Sequence, residues 1–167
     1  MSLEISASAA TWFLPFAVPI GLWVAWNDMA FMKIPNKAVA ALVAVYAVVG
    51  LFVLPLDVYA WRWLHLAVIL VIGFLMNMAG LLGAGDAKFA AAMAPFIALG
   101  DFAIVCYLFA VLVIVAFACH RAARAMPAVR AAVPHWESWQ RSKDFPMGLA
   151  LGSLLIIYLS LGAAAGA

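Results

Sequence analysis

An all-α membrane protein that crosses the bilayer six times, as one integral domain over residues 1–167, is the fold this sequence predicts. Hydrophobic residues make up 70% of the chain and charged residues 10%, and the mean hydropathy is +1.17, which excludes an ordinary soluble domain. The long apolar runs are apolar on every side. Transmembrane β-strands would alternate, so helices are left as the way to satisfy the backbone in lipid. The few charges cluster between runs, where a multi-pass chain needs its turns.

The first span is expected from about Ala9 to Asn27, with Trp12 and Trp26 near its ends, where amphipathic rings settle at the interface. Glu4 precedes it without any Lys or Arg, so it lacks the basic start of a cleavable signal peptide and is expected to persist as a span. After Asp28 a short connection leads to Pro35, Asn36 and Lys37, and Pro35 favours a turn or a helix start. The second span runs from about Ala38 to Leu54. Pro55 and Asp57 close it, and the aromatic link through Tyr59, Trp61, Arg62 and Trp63 is expected at the interface.

A third span is predicted from about Leu64 to Leu82, interrupted by Asn77 and ended by the turn Gly83 to Gly85. The fourth, from Asp86 to Gly100, is short: its helical rise of about 22 Å falls below the roughly 30 Å of a hydrocarbon core. Its alanines permit close helix approach and Pro95 is placed to kink it. The fifth span runs from Phe102 to about Cys119. From His120 to Phe145 lies the one long polar stretch, with Arg121, Arg124, Arg130, Arg141, Lys143, Trp136 and Trp139. This composition predicts a cytoplasmic surface segment, over about 120–145, on an anionic leaflet. The last span, from about Pro146 to Leu161, carries Gly148 and Gly152 at the spacing that lets helices touch.

Basic residues set the orientation. With the N-terminus outside, eight of the nine Lys and Arg fall in the cytoplasm and Arg62 alone falls outside. The net charge of +2 is too small to point to nucleic acid. Cys106 and Cys119 share one apolar run and read as packing or lipid-facing residues. His65, His120 and His135 are scattered and make no metal set.

Two acids stand apart. Asp28 is the sole charge between Glu4 and Lys33, and Asp86 and Lys88 are the only charges between His65 and Asp101. Each sits at the edge of a long apolar stretch, and both fall on the cytoplasmic side. An acid at such a depth is costly unless it faces water or a partner, so both are candidates for function. Taken singly, Asp86 also reads as a helix N-cap and Asp28 as a loop acid. Lys33 and Lys88 read as topology determinants, and Asn77 as an interhelical hydrogen-bonding residue.

Asp28 followed after five residues by Ile34-Pro35-Asn36, and later Gly83-Ala84-Gly85-Asp86-Ala87-Lys88, resembles the type IV prepilin peptidases, membrane aspartic proteases of the GxGD class. The likeness follows the chain in order. Phe145-Pro146-Met147-Gly148 is similar to that family's Pro-aromatic-Gly entry into its last helix, with Met where an aromatic is common. The resemblance implies that Asp28 and Asp86 are the catalytic pair. It places Gly83, Gly85, Lys88, Pro35 and Asn36 around them as residues that shape the site or bind substrate. The glycines are expected to let a substrate backbone approach and to allow turn conformations closed to other residues.

The implied partner is a prepilin or pseudopilin precursor in a bacterial inner membrane, cut at the cytoplasmic face. Larger relatives carry a paired-cysteine region and also methylate the new N-terminus. This chain has no such cysteines and looks like the short form associated with tight-adherence (Flp) pili. Peptidase activity without a metal or other cofactor is the expectation. The alternative reading of the same acids is a small proton- or cation-coupled transporter.

Overall fold

The computed structural model describes residues 3–141 and 144–167, so Lys143 of the expected surface segment lies outside the described residues. Among the described residues eight α-helices follow in order: α1 (Ala7–Phe31), α2 (Asn36–Val53), α3 (Leu56–Met78), α4 (Ala84–Met93), α5 (Phe102–Ala125), α6 (Pro127–Ala132), α7 (Glu137–Gln140) and α8 (Met147–Ala165). Two 3-10 turns, Ala94–Phe96 and Leu99–Asp101, link α4 to α5. Among the described residues no strand forms beyond an isolated bridge between Leu3 and Gly166. Five helices, α1, α2, α3, α5 and α8, are long and apolar enough to cross a membrane. The chain is an all-α, multi-pass membrane protein.

The centre of the bundle is the antiparallel pair α1 and α8. Lipid tails are as apolar as leucine, so helices in a bilayer are held by close packing rather than by escape from water. The sequence meets that need with Gly21 and Gly152. A Cβ on Gly21 would lie 2.9 Å from the Gly152 carbonyl oxygen, and one on Gly152 would overlap the Gly21 carbonyl oxygen. Two backbones therefore touch where no side chain fits. Beside this contact Phe13, Tyr46 and Phe96 join α1, α2 and the first 3-10 turn, with the Phe13 and Phe96 rings 4.7 Å apart. By contrast α3 and α5 turn Val71, Phe74, Leu75, Val111 and Ile114 outward.

Three expected boundaries shift. The aromatic link before the third span is helical from Leu56, because Pro55 needs no N–H at a helix start and Asp57 suits the positive first turn. At 23 residues α3 rises about 34 Å, enough to cross a membrane. Arg62 consequently lies on a helix, 6% exposed, rather than in an interfacial loop.

The segment expected as one kinked fourth span is broken. Regular helix stops at Met93, Pro95 sits in a 3-10 turn, and Ile97 is extended. Pro95 has no N–H to donate to the preceding turn and its ring crowds the carbonyl four residues back, so the helix cannot continue.

Past Cys119 the fifth helix runs on to Ala125, so His120, Arg121 and Arg124 belong to its last turns. The following segment is not simply spread on a surface. Trp136 meets Trp26 of α1 at 5.0 Å, and Trp139 is buried against His120.

The ends of the chain close one end of the bundle. Asp101, 1% exposed, accepts hydrogen bonds from the Glu4 N–H (2.8 Å), the Ile5 N–H (3.1 Å) and the Tyr158 hydroxyl (2.7 Å). Asp28 and Gly148 lie at the other end of the same α1–α8 pair.

Gly152→Ala is expected to lower the thermal midpoint of the detergent-solubilised protein by roughly 5 °C, the scale of an overpacked contact in a protein of this size. Leu161→Ala, on an exposed face of α8, should leave it near the wild-type value in the same melt.

Candidate active site

Asp28 is on the last turns of α1 and is buried, 5% exposed. Its position is fixed from another helix: the Gly148 N–H donates to Asp28 Oδ2 at 2.7 Å. Gly148 is in the first turn of α8, where backbone N–H groups have no partner within the helix. The carboxylate supplies one and faces the positive end of the helix. A Cβ on Gly148 would come 2.8 Å from the Asp28 Cβ and 3.0 Å from Oδ2, so only glycine lets the two helices meet here.

Asp86 is the third residue of α4, and Gly83 is the N-cap. Its carboxylate turns back to accept from the Gly83 N–H, which is one half of a capping box. Asp86 therefore caps its helix and faces Asp28 as well. Burial first, and then the charge of Asp28, push the Asp86 carboxyl up from its ordinary 3.8 to about 6, against the opposing pull of the Gly83 hydrogen bond. Two acids 58 positions apart in sequence thus sense each other across the end of the bundle.

The glycines act differently from expectation. Gly83 has φ −65° and ψ 143°, open to any residue, and the left-handed glycine of this connection is Gly80 at φ 72°. Gly83 is required because a Cβ there would sit 2.5 Å from Asp86 Oδ2. Gly85 gives close approach to its neighbour rather than an unusual turn: a Cβ would lie 3.3 Å from the Ile34 Cβ.

The α1–α2 connection completes the surround. Met32 adopts a left-handed conformation and donates its N–H to the Asp28 carbonyl, ending α1. Asn27 Nδ2 holds the Lys33 carbonyl at 2.6 Å, and Pro35 is the N-cap of α2. Asn36 Oδ1 accepts from Lys88 Nζ at 3.4 Å, tying α2 to α4 on the exposed side. Lys88 thus reaches Asn36 and not a carboxylate. Asn77 Nδ2 donates to the Leu82 carbonyl, holding the approach to Gly83 rather than bridging helices.

Three participants were not singled out by sequence reasoning for the site. Gly148 reads in the sequence as a packing residue paired with Gly152, yet the two serve different partners, Asp28 and Gly21. Its place straight after Pro146-Met147 at a helix start was the available signal. Ile34 stands in the Ile34-Pro35-Asn36 motif without being given a place in the site, and Asn27 gave no signal apart from its nearness to Asp28.

Among the described residues no three His, Cys, Asp or Glu side chains converge as a metal site would require. A cavity of about 460 Å³ lies between α5, α6 and α7, lined by Pro127, Arg130 and Trp139 among others, and takes in neither aspartate. Comparison with family models, curated proteins and solved structures gives no match for the chain.

The raised Asp86 pKa fixes a sign. The folded state binds this proton more tightly than the unfolded chain, so stability from this group is fully present below about pH 4 and is lost as pH rises through about 6. Asp86→Asn removes the loss. Its thermal midpoint should exceed the wild-type value at pH 8, with the difference closing by pH 4, and a gain that is equal at both values would contradict this environment.

Proposed function

We propose that this protein is a membrane-embedded aspartic endopeptidase that removes the short basic leader of Flp-type prepilins or pseudopilins at the cytoplasmic face of a bacterial inner membrane. The observation that carries the reading is the pairing of Asp28 and Asp86, brought from separate helices to one end of the bundle so that one charge acts on the other. The likeness of the Asp28, Ile34-Pro35-Asn36 and Gly83–Lys88 motifs to the type IV prepilin peptidases supports it.

In the proposed topology the chain passes the membrane six times with its N-terminus outside. The broken segment from Ala87 to Ala98 makes the fourth passage, and Asp86 sits at its cytoplasmic mouth. Lys33 lies in the α1–α2 connection, and Lys37 and Lys88 lie near the starts of α2 and α4, on the side of the two aspartates, as the bias of basic residues toward the cytoplasm requires.

The chemistry needs one carboxylate and one carboxylic acid. Asp28, held by the Gly148 N–H, takes a proton from water as the water oxygen attacks the scissile carbonyl carbon. Asp86 gives its proton to the carbonyl oxygen, and a tetrahedral diol results. On collapse one diol hydroxyl returns a proton to Asp86 and Asp28 passes its proton to the leaving nitrogen. The C–N bond breaks, and both acids regain their starting states. The precursor's apolar helix would remain in lipid while its leader reaches the site from the cytoplasm.

Co-expression with a candidate prepilin, read as precursor shortening on a gel, tests the assignment. Asp28→Ala and Asp86→Ala should each slow cleavage by about 10²–10⁴-fold, the scale of a lost general acid or base. Wild-type shortening by either variant would remove the pair from the mechanism. Proton-coupled uptake in proteoliposomes that either substitution abolishes would favour a transporter instead.

A further inference from the structure

At the end of the bundle remote from Asp28 lies a cavity of about 370 Å³. It opens between the start of α1, the first turns of α3 and the second 3-10 turn, and Glu4, Asp57, Arg62, His65, Trp61 and Leu99 line it. None of these residues is used by the proposed peptidase chemistry.

Arg62 is 6% exposed, yet its one hydrogen bond is a long one, from Nη1 to the Pro95 carbonyl at 3.5 Å. A guanidinium offers five N–H donors, and a buried one left without acceptors is costly. The obvious internal partner is already engaged: Asp101 Oδ1 accepts from the Glu4 N–H, and Oδ2 from the Ile5 N–H and the Tyr158 hydroxyl. His65 Nε2 is also buried in the wall without a hydrogen-bond partner. Against these two unmet nitrogen groups stand two carboxyl side chains, Asp57 and Glu4, of which Glu4 Oε2 also accepts from the Gly100 N–H at 3.1 Å. The cavity therefore offers buried nitrogen groups to an acceptor-rich anion, and its carboxyl groups offer acceptors to a hydrogen-bond-donating cation.

The mouth specifies where such a molecule would come from. Trp61 and Leu99 are exposed at the rim, with Leu56 exposed nearby. Five membrane-crossing helices place this end at an interface, where Trp belongs.

We propose that this cavity binds the headgroup of a phospholipid carrying both a phosphate and a primary ammonium, namely phosphatidylethanolamine. The phosphate oxygens meet the guanidinium fork of Arg62, a geometry arginine suits better than lysine, and His65 Nε2 lies beside them. The ammonium donates to Glu4 and Asp57, and the acyl chains leave past Trp61 and Leu99. A phosphatidylglycerol headgroup brings no cation for the acids. A phosphatidylcholine headgroup brings one without N–H donors.

Native mass spectrometry of the full-length protein in detergent, with each lipid added at equal concentration, tests this. Phosphatidylethanolamine should be retained about tenfold more than phosphatidylglycerol or phosphatidylcholine, the equivalent of one charge-assisted hydrogen bond. Free phosphoethanolamine, lacking the chains, should bind far more weakly, and equal binding would overturn a membrane source. Arg62→Gln should remove retention of all three lipids, with partial rescue in Arg62→Lys. Asp57→Asn, at an exposed position, should fold normally and erase the preference for phosphatidylethanolamine over phosphatidylglycerol. Should Arg62→Gln fail to fold, Asp57→Asn decides alone. Equal retention of the three lipids by wild type, or an unchanged preference in Asp57→Asn, would overturn the proposal.

Discussion

Everything in this bundle depends on how closely α8 lies against α1. The contact is made by backbone, with Gly152 against the Gly21 carbonyl and Gly148 against Asp28. In lipid such closeness is itself the source of cohesion, because dispersion and polar contacts grow as helix axes approach while the hydrophobic effect between helices is absent. Side chains at these glycines would part the helices. They would also withdraw the Gly148 N–H from Asp28, leaving a buried carboxyl group without its partner.

The same helix pair organises polar groups at both of its ends. At one, Asp28 and Gly148 meet beneath Asp86. At the other, Asp101 gathers the Glu4 and Ile5 N–H groups and the Tyr158 hydroxyl, while the Leu3 N–H donates to the Ala165 carbonyl. The apolar stretch between holds Phe13, Tyr46 and Leu155 and contributes no charge. This division follows from the medium. Polar groups are tolerated near the ends of the helices, where water or a partner is in reach, and the two buried carboxyl groups there, Asp28 and Asp101, have each found specific donors.

Sequence made the helices legible because hydropathy is a sum over many residues, and a misplaced residue hardly alters it. Boundaries were less legible where single residues carry the decision. Arg62 and its aromatic neighbours read as an interface, yet Pro55 starts a helix six residues earlier and carries Arg62 inside. Pro95 was visible as a break, but whether it would kink the segment or end it depends on the turns after it, with Ala98 N–H donating to Tyr158 from a distant helix. The two aspartates were legible as isolated charges. The roles of Gly83, Gly85 and Gly148 were not, because each is set by one tertiary or short-range neighbour that leaves no periodic trace: a carboxylate oxygen, Ile34 and Asp28.

The two acids are held in different ways, and this bears on how a site built from them could work. Asp28 is fixed by a hydrogen bond from a residue 120 positions away, on the helix most closely packed against its own. Asp86 is fixed by Gly83, within its own turn. The α4 helix that carries it is ten residues long and ends at a proline break, and its start is packed from other elements: a Cβ on Gly85 would meet Ile34, and one on Gly73 of α3 would lie 2.9 Å from the Ala87 Cβ. Lys88 to Asn36, at 3.4 Å and exposed, is a loose tie. Of the pair, Asp28 is held across two helices and Asp86 from within its own turn. In the proposed peptidase, the α1–α8 contact then sets where Asp28 stands, and the Gly83–Asp86 turn sets where Asp86 stands toward it.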